Sequence, residues 1–265
     1  MQSPSASGTK LGKTFPFRAL TPFITPPPWS IRNRPSLTRP RKRPICKSTP
    51  NFLWKWPKRQ KKPGVPQFIF LSTMAVYGLT APFGKTVTVT KDTPLAPKDL
   101  YGLSKAQAEE DLLALADSAF HVAILRPSMI YGQGCKGNYQ QLRHFALRLP
   151  CFPKIGNHRS VLYVGNLNRL VRHLLDTGSG GIYCPQDREQ VDTDRMVQTV
   201  ARLHGRSLPL IPGFGWAISL LRPLTPKIDK AFGSLCYDQA LSRCQWDYQV
   251  YSMEQALQET EAGPQ

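Results

Sequence analysis

Along the chain, apolar positions take on an ordered pattern at Phe68. Phe68-Ile69-Phe70-Leu71 is a continuous apolar run rich in aromatic and β-branched side chains, with Pro66 before it and small residues after it. That pattern predicts a strand buried on both faces in a parallel sheet. A segment holding Pro82, Pro94 and Pro97 reads as a loop. Residues 105–116 (K-A-Q-A-E-E-D-L-L-A-L-A) are strong helix formers, and the helix is expected to begin at Tyr101. Val122-Ala123-Ile124-Leu125 repeats the buried-strand pattern, so strand, helix and strand succeed one another as in a βαβ unit. Farther on, helices are expected over residues 138–149, 164–176 and 193–204, the last amphipathic, with a strand at 181–184. Segments 213–221 and 252–259 could add two more helices. The fold class is α/β with a mostly helical C-terminal part.

Composition divides the chain at the same place. Residues 1–64 carry 15 Lys and Arg, 12 Pro and no acid, the first acidic residue being Asp92. Such a segment repels itself and cannot sustain helices or ladders, so 1–64 is expected to be a disordered basic tail and 65–265 the folded part. Three readings of the tail compete: an organelle transit peptide, whose amphipathic helix the prolines would spoil; a nucleic-acid or anionic-membrane tail with Trp54 and Trp56; and an extension that is not a selected segment. Residues 65–265 hold 20 basic and 17 acidic side chains, so the net charge of +18 says nothing about the partner of the folded part. Neither nucleic acid nor membrane is an expected partner.

The six cysteines include no C-x-x-C pair, and the five histidines show no H-E-x-x-H or other clustered spacing, so neither a disulfide framework nor a metal is expected. No stretch reaches the roughly 18 apolar residues of a membrane span. A cytoplasmic location is the expectation.

Three motifs carry the chemistry: Leu71-Ser72-Thr73-Met74-Ala75-Val76-Tyr77-Gly78 at the end of the first strand, Tyr101-Gly102-Leu103-Ser104-Lys105 opening the helix, and Leu125-Arg126-Pro127-Ser128-Met129-Ile130-Tyr131-Gly132 after the second strand. A bare Y-x-x-x-K is weak, but order and spacing raise it. Together they resemble the NAD-dependent epimerase/dehydratase family, the extended short-chain dehydrogenases, from about Phe68 to the C-terminus. The resemblance implies an incomplete Rossmann-type parallel sheet with a small, mostly helical substrate-binding part. It also implies NAD or NADP as cofactor, a nucleotide-sugar substrate and a homodimer packed through the Tyr-Lys helix and its neighbour.

On a helix, Tyr101 and Lys105 at i and i+4 share a face, so an ammonium near the phenol favours its ionised form. The phenol can then act as general base on a sugar hydroxyl while a hydride passes to a nicotinamide held alongside. By resemblance, Thr73 hydrogen-bonds the reacting oxygen, with Ser72 the weaker choice. Lys105 also contacts the nicotinamide ribose, and the backbone at Pro127 meets the nicotinamide amide. Tyr77 and Tyr131 read as packing residues.

Gly156-Asn157-His158-Arg159-Ser160 followed by Val161-Leu162-Tyr163 is similar to the family's motif in which an Arg grips a nucleotide diphosphate, and guanidinium donors suit phosphate oxygens. Asn138 matches a family position that touches the nucleotide-sugar. N-x-R-S, with the later Phe232-Gly233-Ser234-Leu235 and Asp238, is most similar to bacterial sugar 4-epimerases and 4-ketoreductases. Met74 and Ala75 stand where sugar 4,6-dehydratases carry Asp-Glu, which disfavours elimination. Met129 replaces an Asn of some hexose epimerases. The family's G-x-x-G-x-x-G turn for the pyrophosphate is missing, because Gly8 and Gly12 lie in a proline-rich, strandless context. The resemblance therefore implies a truncated or wrongly delimited chain, inactive alone, whose own binding of the dinucleotide is in doubt. A cofactor-free binding protein and a short-chain reductase of another alcohol or ketone are the alternatives.

Overall fold

The computed structural model describes residues 65–213 and 232–263, with Gly215 and Asp229. The tail over residues 1–64 and most of the helix expected over 213–221 lie outside the described residues. In chain order the described strands are β1 (Gln67–Leu71), β2 (Thr86–Val89), β3 (His121–Leu125), β4 (Met129–Tyr131), β5 (Phe152–Pro153), β6 (His158–Arg159), β7 (Val161–Tyr163), β8 (Gly181–Tyr183), β9 (Val191–Asp192), β10 (Leu210–Ile211) and β11 (Ser234–Tyr237). The described helices are α1 (Leu100–Leu113), α2 (Asn138–Arg148), α3 (Val164–Thr177), α4 (Thr193–Leu203), α5 (Gln239–Ser242) and α6 (Met253–Glu261).

The central sheet has the order β1-β3-β8 and is parallel throughout, with Leu71 beside Leu125 and Leu125 beside Tyr183. Helix α1 covers one face through Ala108 and Leu112, which join Phe70, Phe120, Val122 and Ile124 in one cluster. The other face holds Ala123 and Leu125 against Leu167, Leu170 and Leu174 of α3. Cover on both faces is why these strands read as unbroken apolar runs. A larger cluster gathers Tyr139 and Ala146 of α2, Met196, Val197 and Val200 of α4, and Ala256 and Leu257 of α6. This is the helical C-terminal part.

Helix α1 begins where the Asp99 carboxylate accepts a hydrogen bond from the Gly102 N–H at 2.7 Å, an N-cap that occupies one of the helix's orphan donors. It ends at Leu113 rather than Ala116: Leu115 and Ala116 turn to carbonyls three residues back, and the Asp117 carboxylate accepts from the N–H groups of Ala119 and Phe120. Helix α6 starts with a reciprocal cap between Ser252 and Gln255.

The proline-bearing segment after Tyr77, expected to be loop alone, contains β2. Its Thr-Val-Thr-Val pairs in parallel with β11, Thr86 beside Ser234 and Val89 beside Tyr237. A second long-range parallel pair joins β4 to β7, with Tyr131 beside Tyr163.

Candidate active site

The three sequence motifs converge at the C-terminal ends of β1 and β3, the edge at which open parallel sheets bind ligands. Past the last paired residues the two chains stay joined: the Ser72 N–H donates to the Leu125 carbonyl at 2.6 Å, and the Met74 N–H donates to the Pro127 carbonyl at 3.1 Å. A short 3-10 turn, Met74–Tyr77, follows, capped by the Thr73 hydroxyl, which accepts from the Ala75 N–H at 3.2 Å. Thr73 thus lies between the two donors of this junction, and Pro127 accepts one of its bonds.

Tyr101 sits in the first turn of α1 with 51% of its surface exposed. One turn on, the Lys105 ammonium donates to the Leu71 carbonyl at 2.8 Å and lies 4.7 Å from the Phe70 ring centre and 5.9 Å from that of Tyr101. Burial lowers the Lys105 pKa from its ordinary value, and nearby Glu109 opposes that shift. The expected shared face of Tyr101 and Lys105 is present, with the ammonium turned toward the sheet end.

Beneath this couple lies a buried polar network. Glu109, one further turn along α1, is 2% exposed and takes the Arg126 guanidinium in a fork, Nη2 at 2.6 Å and Nε at 3.0 Å. The Ser72 hydroxyl also donates to Glu109, which engages Ser72 elsewhere and leaves Thr73 nearer the open side. Arg126 Nη1 reaches the Tyr77 hydroxyl at 3.0 Å, and the Tyr237 hydroxyl donates to the Arg126 carbonyl at 2.8 Å. Burial works against the Arg126 charge, but Glu109 and Tyr77 outweigh it and the pKa is raised; burial likewise drives the Tyr77 pKa upward. Removing one partner of such a pair costs about 3–5 kcal/mol, because it strands a buried charge. Sequence reading missed the pair, although Glu109 continues the four-residue spacing of Tyr101 and Lys105.

Arg159 is partly buried in β6, whose short antiparallel partner is β9, and burial lowers its pKa. Asn138 is exposed at the first residue of α2, just after Gly137, whose φ is 112°. Among the described residues no hydrogen bond joins Asn138 or Arg159 directly to Tyr101. Tyr131 is fully buried between the Tyr139 and Tyr163 rings, as expected of a packing residue.

One local signal lies outside the three motifs. Gly132-Gln133-Gly134-Cys135-Lys136-Gly137 is G-x-G-x-x-G between β4 and α2, inside the β4-α2-β7 crossover. A β-carbon on Gly132 would lie 2.3 Å from Val164 Cγ1, so its role is close packing, whereas Gly134 and Gly137 border open space. Its first three residues, Gly132, Gln133 and Gly134, line a cleft of about 210 Å³ with Gln140, Arg143 and Glu261. By itself such a run is a weak indicator of a phosphate site.

A helix that covers one face of a parallel sheet and carries Tyr101 and Lys105 at the strand ends defines the class: an α/β protein. Residues 53–181, just under half of the chain, match the model of the NAD dependent epimerase/dehydratase family. The chain is 33% identical over 184 residues to a UDP-glucose 4-epimerase of Vibrio cholerae, covering 66% of this chain and 56% of that protein. It is 30% identical over 158 residues to an N-acetyl-alpha-D-glucosaminyl-diphospho-ditrans,octacis-undecaprenol 4-epimerase of Escherichia coli O157:H7, covering 56% of this chain and 46% of that one. The chain thus spans about half the length of these relatives. Among solved structures, the UDP-glucuronic acid 4-epimerase of Bacillus cereus in complex with NAD aligns with 79% of this chain and 65% of its own, at 17% identity and a TM-score of 0.58. The UDP-Glc/GlcNAc 4-epimerase of Campylobacter jejuni aligns with 78% and 67%, at 19% identity and a TM-score of 0.55. At these identities the structural likeness establishes the fold. No helix among the described residues is long and apolar enough to cross a membrane.

Proposed function

We propose that this chain supplies the acid-base and substrate-binding residues of an NAD(P)-dependent epimerase or ketoreductase of a nucleotide-activated sugar. The observation that carries the reading is the placement of Tyr101: exposed, at the start of a helix fixed by Lys105 to the end of β1, with the next residue, Gly102, packed on the turn that Thr73 caps. Tyr101 takes the proton of a sugar hydroxyl or returns it to a keto oxygen, with the Lys105 charge close by. Thr73 accepts from the Ala75 N–H, so its own hydroxyl hydrogen can be donated to the same substrate oxygen. Arg159 grips the diphosphate, and Asn138 contacts the nucleotide-sugar.

The residues at the strand ends suit the nicotinamide-ribose part of NAD(P): an exposed phenol, an ammonium and the backbone at Pro127. When bound, the dinucleotide supplies the hydride acceptor and donor. The sequence offers no G-x-x-G-x-x-G turn, so the proposed contacts stop at that part of the cofactor. Met74 and Ala75 in place of an acid pair favour epimerisation or reduction over elimination, as do two relatives named as 4-epimerases. Residues 65–265 interleave the catalytic and substrate-binding parts in this reading.

Calorimetric titration of the full chain with UDP-glucose and with NAD tests it. Micromolar binding of UDP-glucose, weakened at least tenfold by Arg159→Met, is the expected result, since a charge-assisted pair to phosphate is worth about 1.5–3 kcal/mol. No heat with UDP-glucose under any condition would remove the nucleotide-sugar reading.

A further inference from the structure

The stripe that begins with Tyr101 and Lys105 continues at the same four-residue interval to Glu109, and each of the last two grips the ends of the sheet. Lys105 holds the carbonyl of Leu71, and Glu109 accepts from the hydroxyl of the next residue, Ser72. On the neighbouring strand, Leu125 accepts from the Ser72 N–H, and the next residue, Arg126, forks onto Glu109. Two adjacent residues of each strand are therefore tied to the helix, directly or through one bond. We propose that the buried Glu109–Arg126 pair is a positioning device for the Tyr101–Lys105 couple: it sets the height of α1 over the ends of β1 and β3 and balances the charge beside Lys105. This inference rests on the function proposed above and names the residues that tune its acid-base couple.

Two physical points favour it over simple packing. A buried ion pair gives little net stability relative to apolar side chains of the same volume, so stability alone does not call for charges here. The pair is also bound beyond itself, through Arg126 to the Tyr77 hydroxyl and through the Arg126 carbonyl to the Tyr237 hydroxyl, with the Tyr77 and Tyr237 rings edge to face at 6.1 Å. Among the described residues, the titratable groups around Lys105 and the pair are Tyr101 and Glu109 on α1, Arg126 after β3, Tyr77 in the 3-10 turn, Cys184 after β8 and Tyr237 in β11. Among them Glu109 is the one carboxylic side chain, and it lies between the Arg126 guanidinium and the Ser72 hydroxyl.

The test reads Lys105 directly in the full chain, by ¹³C reductive methylation and NMR titration, its resonance assigned by loss in Lys105→Arg. Glu109→Gln removes the negative charge and keeps the shape, and the Lys105 pKa falls further. Arg126→Met removes the compensating cation, and the Lys105 pKa rises. The double variant, with no stranded charge, returns Lys105 toward the wild-type value. A purely structural role does not shift Lys105 in opposite directions. An unmoved Lys105 resonance in folded Glu109→Gln overturns the proposal; should Arg126→Met not fold, the Glu109→Gln and double variants still decide it. Because Lys105 is read without cofactor or substrate, a positive outcome alongside absent UDP-glucose binding would retire the functional reading and keep the positioning device.

Discussion

A β-carbon placed on Gly102 would lie 2.7 Å from the carbonyl oxygen of Ala75, closer than any real side chain sits. The first turn of α1 therefore rests on the 3-10 turn that Thr73 caps, and this contact brings Tyr101 and Thr73 to one edge of the sheet. Gly102→Ala should push the helix off the turn, costing about 1–3 kcal/mol as overpacking does. Urea denaturation reads the loss, and amide shifts confined to residues 73–78 and 99–105 locate it. Wild-type stability in this variant would mean that the close approach is not needed.

Tyr101 and Tyr77 make opposite predictions from the same deleted hydroxyl. Tyr101 is half exposed and Tyr77 is buried with Arg126 Nη1 on its oxygen. Tyr101→Phe should leave stability within about 0.5 kcal/mol of wild type, as surface changes do. Tyr77→Phe should cost about 1–3 kcal/mol, because a buried guanidinium N–H loses its partner. Paired denaturation curves check both, and equal losses in the two variants would contradict the assigned burial.

What the sequence disclosed follows from the range of each interaction. The runs at Phe68 and Val122 announce β1 and β3 because helices cover both faces of the sheet, and Tyr101 and Lys105 are legible because an i,i+4 relation is local. The Ser72–Glu109–Arg126 network was hidden because its members come from three elements and meet only when the strand ends align. The β2-β11 pair was hidden for the same reason, Thr86 and Ser234 being far apart in the chain, and the prolines around Thr-Val-Thr-Val are local loop signals. The glycines at 132, 134 and 137 were local and readable. By themselves they are a weak signal, because a lone G-x-G-x-x-G occurs often without a phosphate site.

Gly132 gives a sharper packing test. Its φ is 151°, and a β-carbon there would come within 2.3 Å of Val164 Cγ1 where β4 leads into the crossover. Gly132→Ala combines strain in a glycine conformation with a clash, so a loss of about 2 kcal/mol or more is expected. Gly134→Ala meets open space but keeps φ at 72°, so its cost should be smaller, about 1 kcal/mol. Thermal unfolding of the two variants orders them, and a Gly134 variant as unstable as the Gly132 variant would remove the role given to Val164.

The C-terminal part carries a pH dependence whose sign is fixed by Glu261. Burial would raise its pKa, but hydrogen bonds from Tyr139 at 2.5 Å, His204 at 2.7 Å and Arg143 at 2.7 Å outweigh burial and lower it. A carboxylate whose folded pKa is depressed binds protons less readily folded than unfolded. Its contribution is therefore complete above the unfolded value near 4.5 and is lost as pH falls through the folded value. Glu261→Gln should be less stable than wild type at pH 7 and should approach it as pH falls below 4.5 and through the lowered folded value. Tyr139→Phe removes one of the three donors and should narrow the same pH-dependent gap without abolishing it. Urea midpoints between pH 3 and 7 measure both gaps, and a Glu261→Gln deficit that stayed constant across that range would show that the carboxylate's charge is not what ties α6 to α2 and α4.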